Sequence, residues 1–144
     1  MEIKNKNGKI IKVVKASSLE NANLRRAKLH GADLSKTNLS GANLRGADLH
    51  GANLWNANLR GANFREANLR GADLRVANLS GSDLSGADLR EANLRGAGLR
   101  KVNFSEADLE NANLGNADLR GTGLTSETLE AKGAKFDGDT IFDE

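Results

Sequence analysis

Ala42-Asn43-Leu44-Arg45-Gly46 decides the fold, because the same five-residue pattern recurs along most of the chain. From Leu19 to Leu129 an apolar residue returns at every fifth position, and it is leucine everywhere except at Phe64 and Phe104. Ala usually stands two places before each of these central residues, and Asn or Asp stands one place before. Arg is the commonest residue one place after the centre, and Gly is the commonest two places after it. Such a fixed period identifies a repeat architecture.

A period of five does not suit a helix with one apolar side. Five steps of about 100° place successive central residues about 140° apart, so the leucines would surround the helix. In an extended chain, by contrast, Ala and the central Leu point to one side, and the residues flanking the centre point to the other. Five is odd, so this alternation breaks once per repeat, and the Gly-rich position is the expected corner. The sequence predicts an all-β solenoid filled by Leu, Phe and Ala.

The tandem unit A-[N/D]-L-x-x resembles the pentapeptide repeat family over about residues 17–131. The resemblance implies a right-handed quadrilateral β-helix with four pentapeptides per coil and about 5–6 coils; geometry alone leaves the number of corners per coil open. Some members of this family resemble B-form DNA in shape and charge, and they bind type II topoisomerases and protect or inhibit gyrase. The resemblance therefore also implies a type II topoisomerase such as gyrase as one candidate partner.

Both ends depart from the repeat, which predicts three segments. Residues 1–16 form an N-terminal β-hairpin cap, because Asn7-Gly8 separates two short apolar segments. Residues 17–124 form the pentapeptide-repeat β-helix, although Ser17-x-x-Glu20 also fits a helix capping box, so that residues 17–28 could be helical instead. Residues 125–144 form a C-terminal cap with a short helix, similar to the ending of many members of the family.

The composition narrows the class of protein. The 144 residues include no cysteine and no proline, which leaves no disulfides or thiolate chemistry and suits unbroken backbone ladders. No apolar run has the length of a membrane span, and the N-terminus lacks a signal-peptide pattern. We therefore expect a cytoplasmic, bacterial protein without a cofactor or a membrane contact.

Residues 20 apart would stack in columns if four repeats make one coil. The positions after the centres then bring Arg70, Arg75, Arg90 and Arg95 together across two neighbouring faces. This Arg cluster and the outward Trp55 are the candidate interaction surface. Trp55 lies one coil below Arg75, so these two side chains could form a cation–π stack. The plainer interpretation is a solvated face neutralised by nearby carboxylates, namely Asp73, Asp88, Glu66 and Glu91.

The sequence offers little for metal binding or catalysis. His30 and His50 would be stacked neighbours, but a third metal ligand is missing. The Asp residues report the repeat rather than an acid–base pair, and no serine has an evident activating base. A filled, convex rod also offers no obvious deep pocket. We expect neither catalytic nor metal-binding residues.

Three functions remain open, and the leading one is a non-catalytic interaction protein with an unknown protein partner. The first alternative is a DNA mimic that binds gyrase or another topoisomerase, but Leu19–Leu124 holds 14 Lys and Arg against 12 Asp and Glu. The second is weak polyanion binding through the Arg cluster, although the net charge is only +2, so a nucleic acid partner is not expected. The predicted caps favour a monomer over an end-to-end dimer.

Overall fold

Each five-residue unit makes one tight turn in the computed structural model, which describes residues 1–13 and 18–144. The Ala42 N–H donates to the Leu39 carbonyl over 3.0 Å, and equivalent bonds recur along the chain. Between these two residues Gly41 has a φ of 66°, and every fifth residue from Asn21 to Gly121 likewise has a positive φ. A positive φ at the third of four turn residues is typical of a type II turn. The corner thus lies at the Gly-rich position, as the pattern predicts.

Successive turns stack because residues 20 apart pair in parallel. The Leu44 N–H donates to the Asn63 carbonyl over 2.7 Å, and the Asn63 N–H donates to the Ala42 carbonyl over 2.9 Å. Parallel bridges of this kind run from the Asn23–Asn43 pair to the Gly98–Asp118 pair. Four turns therefore complete a coil, which confirms the β-helix. We name its sides faces A, B, C and D; in one coil their central residues are Leu39, Leu44, Leu49 and Leu54.

The hollow of the coil is filled as the alternation predicts. The central residues Leu44, Leu49 and Leu54 are fully buried, as is Ala42, and most of its equivalents two places before the other centres are buried as well. Phe64 is accommodated within the same core at zero exposure. Each buried leucine contributes about 1.5–3 kcal/mol of hydrophobic stabilisation before the entropy of ordering the chain is counted. The interior is thus one continuous apolar column.

A hairpin lies against the first coil. It consists of β1 (Glu2–Asn5) and β2 (Ile10–Val13), and β1 also pairs in antiparallel fashion with β3 (Ala32–Asp33). Because β3 has the next coil on one side, β1 covers its other edge, and Ile3 is buried in the core. Residues 18–28 follow the turn pattern of the coils rather than a helix. The capping-box residue Ser17 lies outside the described residues.

A helix and two short paired segments follow the last coil. Helix α1 (Ser126–Ala131) begins at Thr125, whose hydroxyl accepts from the Thr128 N–H, and it buries Leu129. The chain then continues the parallel ladder at two more points, where Lys135 pairs with Asn113 and Ile141 pairs with Asp118. In the described part of the chain no helix is long and apolar enough to span a membrane.

Candidate interaction surface

The Asn or Asp before each centre fixes the residue after it. Its side-chain oxygen accepts from the backbone N–H two residues later, as between Asn43 and Arg45 at 3.2 Å and between Asn53 and Trp55 at 3.1 Å. Such Asx turns hold the intervening backbone, so the residue after each centre projects outward in a fixed place. The 20-residue register then stacks these outward residues into one column per face.

One class of surface arginine pairs within its own repeat. Where Asp stands two residues before Arg, the carboxylate and the guanidinium meet in a two-pronged contact. The Arg75 Nε and Nη2 lie 2.9 and 2.7 Å from the Asp73 oxygens, and those of Arg90 lie 2.9 and 2.6 Å from Asp88. The guanidinium hydrogen bonds lower the pKa of Asp73 and of Asp88 below the usual aspartate value.

A second class pairs with a glutamate 21 residues later, at the corner of the next coil. Arg70 Nη2 lies 2.8 Å from Glu91 Oε1, and Arg45 Nη2 lies 3.2 Å from Glu66 Oε1. Arg95 instead contacts Asp137 of the C-terminal segment at 3.0 Å. Asp137 also accepts from the Asn116 N–H, and this bond is the largest cause of its lowered pKa.

The predicted cluster of Arg70, Arg75, Arg90 and Arg95 is therefore not a free basic patch. Each of its four guanidinium groups has a carboxylate within 3.0 Å. The plainer interpretation, a solvated and neutralised face, fits these contacts better. Of the four carboxylates named for it, Asp73, Asp88 and Glu91 neutralise the cluster, whereas Glu66 is taken by Arg45 on face B.

Three unpaired cations lie together on face A, a group that sequence reasoning missed. Within residues 1–13 and 18–144, Arg60, Arg100 and Lys101 have no carboxylate within ion-pair distance, and with Ser80 and Gly81 they line a groove of about 340 Å³. The sequence carried a usable signal. The place two before Arg is Asn58 or Gly98 rather than Asp, and the place 21 after is Gly81 or Gly121 rather than Glu.

Trp55 is exposed by 36%, so the structure places it outward as the register predicts. The cation over its ring is Lys36, whose Nζ lies 5.0 Å from the ring centroid. The possible cation–π stack of Arg75 on Trp55 does not form, because Asp73 holds the Arg75 guanidinium. Lys36 is a corner residue of the preceding coil, and the corner column continues through Asn56 to Val76, which is exposed by 48%.

The two histidines stack as expected, since His30 and His50 lie one coil apart, and His30 Nδ1 is 3.9 Å from Asp48. Among the residues that the structure describes, no group of three His, Asp or Glu side chains could hold a metal ion.

A shallow cleft of about 560 Å³ separates the hairpin from the first coil, and Lys6, Lys9 and Lys28 are among its lining residues.

Comparison with known proteins agrees with this architecture. The family model for pentapeptide repeats matches eight copies in overlapping segments that span residues 17–125. The structure of alr5209, a pentapeptide repeat protein from Nostoc PCC 7120, is 35% identical, with 82% of this chain and 99% of that chain covered and a TM-score of 0.63. Rfr23 from the cyanobacterium Cyanothece 51142 is 32% identical, with 88% of both chains covered and a TM-score of 0.56.

More distant similarity extends to QnrB1, a plasmid-mediated fluoroquinolone resistance protein. It is 21% identical, with 87% of this chain and 67% of that chain covered and a TM-score of 0.50. At this level the likeness concerns the fold alone. The comparison with curated proteins gave no significant match.

Proposed function

Because the chain belongs to the pentapeptide repeat family, we propose that it is a non-catalytic interaction protein that presents a rigid face of its β-helix to a protein partner. A coil whose interior is filled by its own side chains has only its outer faces with which to bind. Each outward residue is held by the Asx turn behind it, so little side-chain and loop ordering is needed on binding.

The observation that carries this proposal is the pair Trp55 and Val76 at the corner between faces D and A. Away from the two ends, they are the exposed large apolar residues of the described chain. Tryptophan is one of the residue types enriched among binding hot spots. Lys36 over the Trp55 ring also holds the indole in a defined orientation before any partner arrives.

Val76 strengthens the argument because its position is unfavourable for the free protein. Its φ is 50°, a left-handed conformation that a β-branched residue rarely adopts. Other corners of the same column, such as Asn56 and Gly96, carry residues that tolerate this backbone. An apolar, exposed and strained side chain beside Trp55 is typical of a residue kept for binding rather than for stability.

Affinity capture with the purified protein as bait tests this function. We expect a partner that wild-type protein retains and that Trp55→Ala and Val76→Gly lose. Arg65→Ser, on face B, is the control, and it should retain the same partner. Capture of the same proteins by wild type and Trp55→Ala, or of none by wild type, would contradict the proposal.

The DNA-mimic alternative receives less support from the charges. A mimic of DNA needs a strongly negative surface, whereas the carboxylates of Asp73, Asp88 and Glu91 are occupied by arginine. A gyrase supercoiling assay at high protein excess distinguishes the two functions. We expect no effect on supercoiling, and inhibition or protection of gyrase would favour the mimic instead.

We further propose that the protein is monomeric. β1 covers the edge of β3 at one end, and α1 with the Lys135 and Ile141 pairings covers the last coil at the other. Covered edges leave few unpaired backbone groups for a second copy. Light scattering after gel filtration should give the mass of one chain, and a stable dimer mass would oppose the proposal.

A further inference from the structure

We propose that the groove on face A between Arg60 and Arg100 is a binding site for a phosphoryl-type dianion. This site is distinct from the Trp55 and Val76 surface, and its argument does not depend on the proposed partner. It rests on the free cations of the groove, an unengaged hydroxyl at its centre and the neutral residues around it.

The cations of the groove are available because the two pairing arrangements found elsewhere are both broken there. Arg60 follows Asn58 and Arg100 follows Gly98, so neither has the aspartate that holds Arg75 or Arg90. The corner glycines Gly81 and Gly121 likewise replace the glutamates that hold Arg45 and Arg70. In the part of the chain that the structure describes, Arg60, Arg100 and Lys101 form no ion pair.

Ser80 stands between the two arginines, one coil from each. The Ser35, Ser40, Ser85 and Ser105 hydroxyls donate to the Asx oxygen two residues before them, at 2.6–2.7 Å. The Ser80 hydroxyl makes no such bond to Asn78 within the described structure, although its backbone N–H does, at 3.1 Å. The backbone is therefore fixed while the hydroxyl remains free to meet a ligand.

The spacing suits one small anion. Arg60 and Arg100 are two coils apart, which corresponds to about 10 Å along the axis. Their long side chains can converge over Ser80 from opposite sides, with Lys101 beside them at the corner. Arginine offers a planar pair of donors that matches the oxygens of a phosphoryl group, and charge-assisted bonds of this kind are the strong ones.

The surroundings favour this anion over other ligands. Residues 56–61, 76–81 and 96–101 form face A at this height, and they include no Asp or Glu. Asp118, in the next coil and close enough to Arg100 to interact through charge, is held by Arg120. Three positive charges in one groove match a dianion better than a single carboxylate. Nucleic acid is less favoured because no aromatic side chain lines the groove and its free cations extend over only about 10 Å along the axis.

The test is a titration with inorganic pyrophosphate, followed through the arginine Nε–Hε signals by NMR. We expect the Arg60 and Arg100 signals to shift, and Arg60→Ser/Arg100→Ser to weaken binding about tenfold or more. Serine already occupies this column at positions 40 and 80, so the variant should fold, and its melting curve checks this. Arg75→Ser/Arg90→Ser removes the same charge elsewhere and should leave binding unchanged.

A second pair of ligands identifies the source of the phosphoryl group. A phosphoserine peptide is compared with the same peptide carrying glutamate. Stronger binding of the phosphoserine form indicates a phosphorylated protein, whereas binding of pyrophosphate without either peptide indicates a free phosphate compound. The proposal is overturned if neither pyrophosphate nor the phosphoserine peptide binds wild type, if both double variants lose affinity alike, or if the glutamate peptide binds as tightly as the phosphoserine peptide.

Discussion

At the residue scale, the corner position explains much of the sequence variation within the repeat. Each corner from Asn21 to Gly121 has a positive φ, and eleven of the corners in the described chain are not glycine. Asparagine tolerates this conformation well, and Lys, Glu and Arg adopt it at a modest cost. Val76 is the β-branched exception. At these eleven corners the chain therefore keeps a side chain although the backbone conformation favours glycine.

Val76→Gly should stabilise the fold, because glycine adopts a positive φ without the penalty of about 1–2 kcal/mol that valine carries. Part of this gain is lost because glycine gives the unfolded chain more conformational entropy. We expect a net gain of about 0.5–1 kcal/mol in the free energy of unfolding, measured in urea. The reverse substitution at another corner, Gly71→Val, is the control, since Gly71 has a φ of 64° and open space around it. It should lose a similar amount, and a Val76→Gly variant less stable than wild type would refute this account.

The arginine–aspartate pairs predict an acid dependence of stability. The Arg90 hydrogen bonds lower the pKa of Asp88 in the folded state, so folding is favoured at pH values above the unfolded pKa. That contribution is lost as the pH falls through the folded pKa. Asn is the natural replacement, because Asn68 fills the equivalent place one coil before.

The measurement is the unfolding free energy of wild type and Asp88→Asn over the acid range. Wild type should be the more stable protein at neutral pH, and the difference should shrink as the solution becomes acidic. Asn93→Ala removes an Asx turn without a titrating group, so its effect should not change with pH. A constant difference between wild type and Asp88→Asn would rule out the pair as its cause.

At the scale of the elements, adjacent coils determine which surface charges are free. Apart from Asp137, which holds Arg95, the close partner of a surface arginine lies either two residues back in the same strand or 21 residues on in the next coil, as for Arg75 and Arg70. Once the 20-residue register is known, these pairs can be read from the sequence. The same rule assigns Arg60 and Arg100 as unpaired, as well as Arg65 on face B. Arg60 and Arg100 lie in one column, and the groove on face A is between them.

Asn58→Asp tests this pairing rule directly. It creates the Asp-Leu-Arg triplet found at residues 73–75, so the new carboxylate should capture Arg60 in a two-pronged contact. We expect its pKa, followed by NMR, to lie below the usual aspartate value, and pyrophosphate binding to weaken. The control is Asn103→Asp, where the residue two places later is Ser105 rather than Arg. Its new carboxylate should titrate nearer to the ordinary aspartate value. An ordinary pKa at position 58 would contradict the rule.

At the scale of the whole molecule, the sequence predicts the fold much better than the surface. The inward Ala42 and Leu44 and the corner at Gly46 follow from the five-residue period alone. The number of turns per coil did not follow from the period, because nothing within one repeat determines how many close a ring; the family resemblance supplied it. That β1 pairs with Ala32–Asp33 also depends on contacts distant in sequence.

The candidate site was predicted less well because surface contacts depend on side-chain geometry between coils. Outward Trp55 followed from the register, but its contact with Lys36 depends on a corner residue leaning over the next coil. The register brought the four arginines together, and a neutralised face was one of the two interpretations offered, but the sequence did not show which carboxylate pairs with which arginine.

The central claim is that residues 20 apart are stacked neighbours, and a disulfide cross-link tests it most directly. The chain has no cysteine, and Ser85 and Ser105 project from the same column of face B. At the strand spacing of about 4.8 Å, Ser85→Cys/Ser105→Cys meets the distance that a disulfide requires. We predict rapid cross-linking of this pair and none of Ser80→Cys/Ser105→Cys, whose residues lie on different faces. Equal cross-linking of both pairs, or none of the first, would contradict the stacked coil.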